Sequence, residues 1–298
     1  MALVQMSMGA EVDKNLARGV SMVEEAAREG GAQVVCLPEL FRYPYFCQTE
    51  DAARFELAET VPGPTSEAVG RVARELGVVV IAPVFEKRAS GLYHNSALVI
   101  DTDGEIAGVY RKMHVPHDPG YHEKFYFTPG DLGFLALNTG VGRMGVLICW
   151  DQWYPEAARI AALKKASVLF YPTAIGWHPE EKEEHGSVQF DAWRTVQRGH
   201  AISNAVYVAA ANRVGFEPSP GGKKGAGEKG AGIEFWGGSF ICDPQGVVIA
   251  ESPSDAEDII YAEVDTARIE EVRRNWPFFR DRRVDAYGEL SSLALEED

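Results

Sequence analysis

The chain has 298 residues, 46% hydrophobic and 24% charged, a balance that suits a globular protein burying a full core and excludes an intrinsically disordered one. Its 29 Lys and Arg against 44 Asp and Glu leave a formal charge of −15, which repels phosphate backbones and anionic lipid, so nucleic acid and membrane are poor partners and a small molecule is expected. Cys36, Cys47, Cys149 and Cys242 form no CxxC pair and are too sparse for a disulfide framework, so reduced thiols in a cytoplasm are expected.

The start, MALVQMSMGAEVDKN, carries no basic stretch followed by an apolar leader, and no apolar run reaches the roughly 18 residues that span a bilayer. Ala2–Met8 is a short apolar run, and within Asp13–Glu29 the residues Leu16, Val20, Val23 and Ala27 fall at helical spacing, so the chain opens as strand then helix. Val34–Leu37 is a second apolar run that stops at Pro38-Glu39. Ser66–Leu76 reads as a helix and Val78–Phe85 as a buried strand, because short β-branched runs bounded by Gly and charge favour strands. Asn95–Ile100 and Glu105–Tyr110 flank Asp101-Thr102-Asp103-Gly104, a hairpin signal in which Gly supplies the awkward turn dihedral.

Further strands are expected at Gly133–Asn138, Met144–Cys149, Val168–Tyr171, Tyr207–Ala211, Gly238–Cys242, Val247–Glu251 and Ile259–Val264, with helices near Tyr154–Lys165, Val188–Asn204 and Thr266–Arg274. This mixture of βα alternation and hairpins predicts an α/β fold of two facing mixed sheets with helices outside. With no repeat and no interdomain linker, a single domain over 1–298 is expected, ending in a short acidic tail at Glu296–Asp298. Gly215–Gly232, rich in Gly and Lys, lacks GxxxxGK[ST] and a following helix, so it reads as a mobile surface loop and not a phosphate cradle.

Three strand ends carry chemistry. Cys149 closes the run Met144-Gly-Val-Leu-Ile-Cys before a sharp turn into helical spacing, a place where a thiol is presented and following backbone N–H groups can hold oxyanion charge. Taken alone, such a cysteine is as well explained as a small buried hydrophobe, the reading given to Cys36, Cys47 and Cys242. Glu39 emerges from an apolar strand, where desolvation raises a carboxyl pKa toward that of a working base, and Lys112 follows the hairpin strand as a cation able to stabilise an oxyanion. Together they supply a base, an electrophilic stabiliser and a nucleophile.

The segments LPEL (37–40), YRKMHVP (110–116) and CWDQWYPEAAR (149–159) closely resemble the nitrilase superfamily over nearly the whole chain. That resemblance implies an α-β-β-α sandwich, self-association into dimers or larger assemblies, and a Glu-Lys-Cys triad made of Glu39, Lys112 and Cys149. It implies a second active-site glutamate at Glu123, in YHEKFYF (121–127), and an oxyanion contact from the Trp150 backbone N–H. LFYPTAIGW (169–177) and EKFYFTPGD (123–131) bring the chain nearest to the branch of the superfamily that hydrolyses N-carbamoylputrescine.

Enzymes of the superfamily that act on carbamoyl amino acids generally carry an arginine three residues after the nucleophile, and here that place holds Gln152. A neutral amide cannot pair ionically with a carboxylate, so an uncharged or cationic substrate tail is expected. Asp118, Tyr43, Trp150 and Trp177 are candidate contacts for that tail, and Gln152 is expected to bind the substrate with them. His114, His117 and His122 share one loop, but no HxxxH pair or Cys/His cluster accompanies them, so no metal is expected, and thiol chemistry of this kind calls for no organic cofactor. Still open are an amidase of the same superfamily acting on another carbamoylated amine, a carbamoyl amino acid or an aliphatic amide, a catalytically inactive scaffold, and a redox sensor in which Cys36 or Cys47 lies near Cys149.

Overall fold

The computed structural model describes residues 1–220 and 231–295. In chain order the elements are β1 (Ala2–Gln5), α1 (Val12–Arg28), β2 (Val34–Cys36), α2 (Pro64–Leu76), β3 (Val79–Ala89), β4 (Leu92–Ile100), β5 (Ile106–Arg111) and a single helical turn, α3 (Glu123–Tyr126). They continue as β6 (Ala136–Thr139), β7 (Gly142–Val146), α4 (Pro155–Leu163), β8 (Val168–Pro172), β9 (Gly176–Trp177), α5 (Lys182–Asn204), β10 (Tyr207–Ala211) and β11 (Val214–Pro218). The last are β12 (Gly232–Trp236), β13 (Phe240–Cys242), β14 (Val248–Glu251), β15 (Asp258–Tyr261) and α6 (Thr266–Asn275).

Two six-stranded sheets run in the orders β15-β1-β2-β3-β4-β5 and β14-β13-β10-β8-β7-β6, and β11-β12-β9 form a small third sheet. Strand periodicity sorts the first sheet's side chains onto two faces. Leu3, Cys36, Val79, Ile81, Ala97 and Val99 pack toward the second sheet, in one core with Val146, Phe170 and Ala209. Their neighbours Val4, Val35, Val80, Leu98 and Ile100 pack with Val23 and Ala26 of α1 and Val69 and Ala73 of α2. On the second sheet's side, the alanine face of α4 (Ala157, Ala158, Ala161, Ala162) and Trp193 and Ala201 of α5 join the central core. The layers are therefore helix, sheet, sheet, helix, the four-layer sandwich that the resemblance implies.

Both sheets are parallel at their centres, β1-β2-β3 in one and β7-β8-β10 in the other, with antiparallel strands outside. The carboxyl ends of β2, β5 and β7 deliver Glu39, Lys112 and Cys149, and crevices at such ends are where open α/β sheets bind ligands.

Three expectations change. The strand expected to reach Cys149 stops at Val146, since after the bond from Leu147 N to Phe170 O the chain leaves the ladder and Cys149–Trp153 wind into a 3₁₀ turn. The loop expected over 215–232 is flanked by paired strands, β11 against β12 from Val214↔Trp236 to Pro218↔Gly232. Strand β9 also went unread, because its two residues are too few for any periodicity. The middle of that loop and the acidic tail at 296–298 lie outside the described residues.

Candidate active site

Glu39 and Lys112 each follow the end of a strand, whereas Glu123 opens α3. After β2, Leu37 N still bonds Ile81 O, and the chain then turns through Leu40, which holds a left-handed φ of 50°. Non-glycine residues rarely adopt that conformation, and it costs on the order of 1 kcal/mol or more unless the surroundings impose it. The turn leaves Glu39 fully buried. Asn95 Nδ2 of β4 donates to its Oε1 at 2.7 Å and Lys112 Nζ donates to the same oxygen at 2.8 Å. Oε2 is buried with no hydrogen-bond partner among the described residues.

Lys112 is placed by main-chain bonds that prolong the hairpin ladder, from its N to Asn95 O and from Gly130 N to its O. Its ammonium also donates to Glu123 Oε2 at 2.6 Å, and Tyr45 OH donates to Glu123 Oε1 at 2.7 Å. The side chains of Lys112, Glu39 and Glu123 are at most 1% exposed. Two carboxylates and one ammonium thus share a dry site.

Cys149 adopts φ 41° at the first position of the 3₁₀ turn, and its thiol points to Ala174 O at 3.8 Å. The strained turn is held by Asp151, which is fully buried. Its Oδ2 accepts from Ile148 N at 2.9 Å and Tyr110 OH at 2.7 Å, and its Oδ1 accepts from His114 N at 3.0 Å and meets His114 Nδ1 at 2.7 Å. Asp151 therefore ties the Cys149 turn to the strand end and loop around Lys112.

The electrostatics follow from burial. Desolvation pushes the Glu39 carboxyl above its ordinary value, Lys112 pulls it back, and Glu123 adds to the rise. Desolvation and the Glu39 charge push the Cys149 thiol well above its ordinary value, against the pull of Lys112. Burial alone would lower the Lys112 pKa, but Glu123 and Glu39 outweigh it and hold the ammonium well above its usual range. The site thus combines a thiol held protonated, an ammonium held charged and a Glu39 carboxyl with one unpartnered oxygen. Such a set can move a proton off sulfur and stabilise a negatively charged oxygen.

A pH dependence follows. A base at Glu39 works only when ionised, so kcat/KM falls as pH drops through a pKa that lies above the ordinary carboxylate value of 4.5. Neither the thiol nor the ammonium, both raised, adds an alkaline fall at the ordinary thiol value of 9.0. A kcat/KM profile measured from acid to alkaline pH checks both limbs. An acid limb at ordinary carboxylate pKa, or an alkaline limb at ordinary thiol pKa, contradicts this electrostatic picture.

A cavity of about 470 Å³ opens onto Cys149 and Glu123. Its walls include Trp150, Trp153, Tyr121, Ile175 and Trp236, and its exposed part carries Asp118 and Glu181. Of the expected tail contacts, Asp118 and Trp150 line it. Tyr43 does not, because its hydroxyl is spent on Leu57 O and its ring is buried against Phe46. Trp177 stands behind the wall, its Nε1 bonded to Gly186 O and its ring packed on Trp236.

Gln152 is fully buried and faces away from the cavity, its Oε1 accepting from Trp193 Nε1 at 2.8 Å and Thr173 Oγ1 at 3.4 Å. The expectation that it meets the substrate tail is corrected by those two bonds, which draw the amide in toward α5 and β8. Asn95, Tyr45, Asp151, Glu181 and Trp236 were not read from the sequence. A polar Asn95 inside the apolar run NSALVI and an acid two residues after the thiol were the available signals.

The description "Carbon-nitrogen hydrolase" belongs to the family model that matches residues 1–274. An N-carbamoylputrescine amidase of Solanum lycopersicum is 42% identical over 297 residues, covering 98% of this chain and 95% of the relative. A citrullinase of Francisella tularensis is 40% identical over 291 residues, 97% of each chain. The crystal structure of a carbon-nitrogen hydrolase from Helicobacter pylori G27 superposes with a TM-score of 0.93 at 47% identity, covering 99% of this chain and 98% of that one.

Proposed function

The chain belongs to the carbon–nitrogen hydrolase family, and within it we propose that Cys149, Glu39 and Lys112 hydrolyse N-carbamoylputrescine to putrescine, ammonia and carbon dioxide. Glu39 Oε2 takes the thiol proton as Cys149 Sγ attacks the ureido carbon. The Lys112 ammonium and the Trp150 backbone N–H hold the oxyanion. Protonated Glu39 returns its proton to the departing nitrogen, leaving a thiocarbamate on sulfur. Water deprotonated by Glu39 then adds to the same carbon, the C–S bond breaks, Glu39 returns that proton to the sulfur, and the carbamic acid released decomposes to carbon dioxide and the remaining amine or ammonia. Glu123 keeps Lys112 charged and aimed.

The substrate class rests on one observation: among the described residues, those that line the cavity include the acids Asp118, Glu123 and Glu181 and no Lys or Arg. A carboxylate tail would be desolvated against like charge, whereas an ammonium tail finds opposite charge near the opening and an apolar wall for its methylene chain. The names of relatives at about 40% identity agree with that choice. The carboxylate is therefore disfavoured by the cavity's own acids, and Gln152 takes no part.

Measuring kcat/KM for N-carbamoylputrescine, N-carbamoyl-β-alanine and citrulline tests the assignment, with the cationic substrate expected to lead. Glu181→Gln and Asp118→Asn should each raise KM for N-carbamoylputrescine by about tenfold, roughly 1.4 kcal/mol, with kcat little changed. Preference for the carboxylated substrate, or unchanged KM in both variants, rules the reading out.

Four free, buried cysteines suit a reducing cytoplasm. Among the described residues no helix is long and apolar enough to cross a membrane. Exposed Trp276, Phe278, Leu290 and Leu293 favour a homo-oligomer in which a second copy covers the C-terminal segment.

A further inference from the structure

His117 and His122 were read as loop histidines with no metal expected, and the backbone sets them face to face. Asp118 and Tyr121 form an antiparallel bridge, exchanging N–H···O bonds of 3.2 and 2.8 Å around Pro119-Gly120, with Gly120 at the positive φ that the turn requires. One step outward in that register are residues 117 and 122, which therefore stand as a cross-strand pair. Their rings lie 5.4 Å apart. The pair is pinned to a second segment by the bond from His122 N to Cys47 O at 2.8 Å. Three residues past Cys47, Glu50 brings a carboxylate oxygen to 4.0 Å from His122 Nδ1.

We propose that Glu50, His117 and His122 form a binding site for a borderline divalent transition-metal ion of the Zn²⁺ class. Their ligating atoms lie within 4.8 Å of one another. Glu50 and His117 are exposed side chains, free to rotate inward by the ångström or so that a metal–ligand distance of about 2.0–2.2 Å requires. A second observation is independent of the spacing: His122 Nδ1 is shielded from solvent and has no hydrogen-bond partner among the described residues. A polar atom left so calls for an occupant. Two imidazoles and one carboxylate suit zinc, whereas calcium and magnesium prefer oxygen ligands throughout.

The site sits on the loop that serves the cavity, with Asp118 following His117 and Glu123 following His122. A bound dication there stiffens the turn and places positive charge beside the cavity's acidic wall. If the functional reading above holds, on which this consequence rests, the metal raises KM for cationic N-carbamoylputrescine more than for an uncharged N-alkylurea.

The site is tested by titrating Co²⁺ into the full-length Cys149→Ala protein, which removes the active-site thiol as a competing ligand, following the visible absorption of the bound ion and its displacement by Zn²⁺. One equivalent should bind, and His117→Ala or His122→Ala should weaken binding by about tenfold or more, with the unfolding midpoint of the metal-free protein unchanged. No saturable binding, or equal affinity in both variants, overturns the site whatever the substrate proves to be. Zn²⁺ that binds there but shifts KM equally for the two substrates overturns the charge reading of Asp118 and leaves the metal site standing.

Discussion

Cys149→Ala should fold normally and release no ammonia from N-carbamoylputrescine, a loss of about 10⁴-fold or more in kcat/KM. The size follows from the loss of the attacking atom: Glu39 and Lys112 remain, but without sulfur there is no covalent intermediate to split the reaction into two easier steps. The fold should survive because alanine keeps the Cβ in the core and the change gives up, among the described residues, one weak sulfur hydrogen bond, to Ala174 O. The strain at φ 41° is common to Ala and Cys, and the turn is held by Asp151 through Ile148 N and Tyr110 OH. Stability within about 1 kcal/mol of the parent is expected. Ammonia release and denaturant unfolding, measured side by side, separate a dead enzyme from an unfolded one. Near-normal turnover would remove Cys149 from the chemistry.

Lys112→Met should damage both function and fold. The ammonium at 2.8 Å from Glu39 and 2.6 Å from Glu123 is the cation that both carboxylates bond, and all three side chains are sealed from water. Removing one partner of a buried ionic cluster typically costs about 3–5 kcal/mol, because the charges left behind are neither paired nor hydrated. The pH dependence identifies this cause. Without Lys112 only the Asn95 hydrogen bond opposes the rise that burial and mutual repulsion impose on the Glu39 carboxyl. A carboxyl with a raised folded-state pKa favours the fold when protonated, below its unfolded value, and that stability is lost as pH rises through the folded pKa. The deficit of Lys112→Met relative to the parent should therefore be greatest at neutral pH and shrink as pH falls toward the carboxyl range. Urea unfolding of both proteins at several pH values measures it. A deficit independent of pH would point to lost packing and away from stranded charge.

Much of this arrangement was legible in the chain itself. Continuous apolar runs such as Val78–Phe85 and Ala97–Ile100 mark a sheet buried on both faces, and the helical spacing of Leu16, Val20 and Val23 marks the layer above it. Glu39, Lys112 and Cys149 could be picked out because each charged or nucleophilic residue interrupts or ends an apolar strand, where a bland residue would be cheaper to bury. Orientation could not be read, because three residues of separation in a turn say nothing about which neighbours compete for a side chain. Trp193 and Thr173 hold Gln152, and Leu57 O holds Tyr43. Partners far apart in sequence were hidden for the same reason. Asp151 meets Tyr110 across 41 positions, Tyr45 meets Glu123 across 78, and Glu50 reaches His122 only through the Cys47 backbone bond.

A non-catalytic scaffold has little use for this cost. Burying two carboxylates and an ammonium together, beside a strained cysteine, is more expensive than an apolar core. A redox-sensing role would want a readily ionised thiol, whereas burial and Glu39 push Cys149 the other way. A thiol that stays protonated until a neighbouring base removes its proton is suited to attack on a bound substrate.

Intact-protein mass spectrometry of the enzyme quenched during turnover of N-carbamoylputrescine examines that attack itself. A covalent adduct that maps to Cys149 and is missing from Cys149→Ala is the expected result, its mass telling whether ammonia or the diamine departs first. Turnover with no adduct at any quench time, or an adduct that persists in Cys149→Ala, would contradict nucleophilic catalysis by this cysteine.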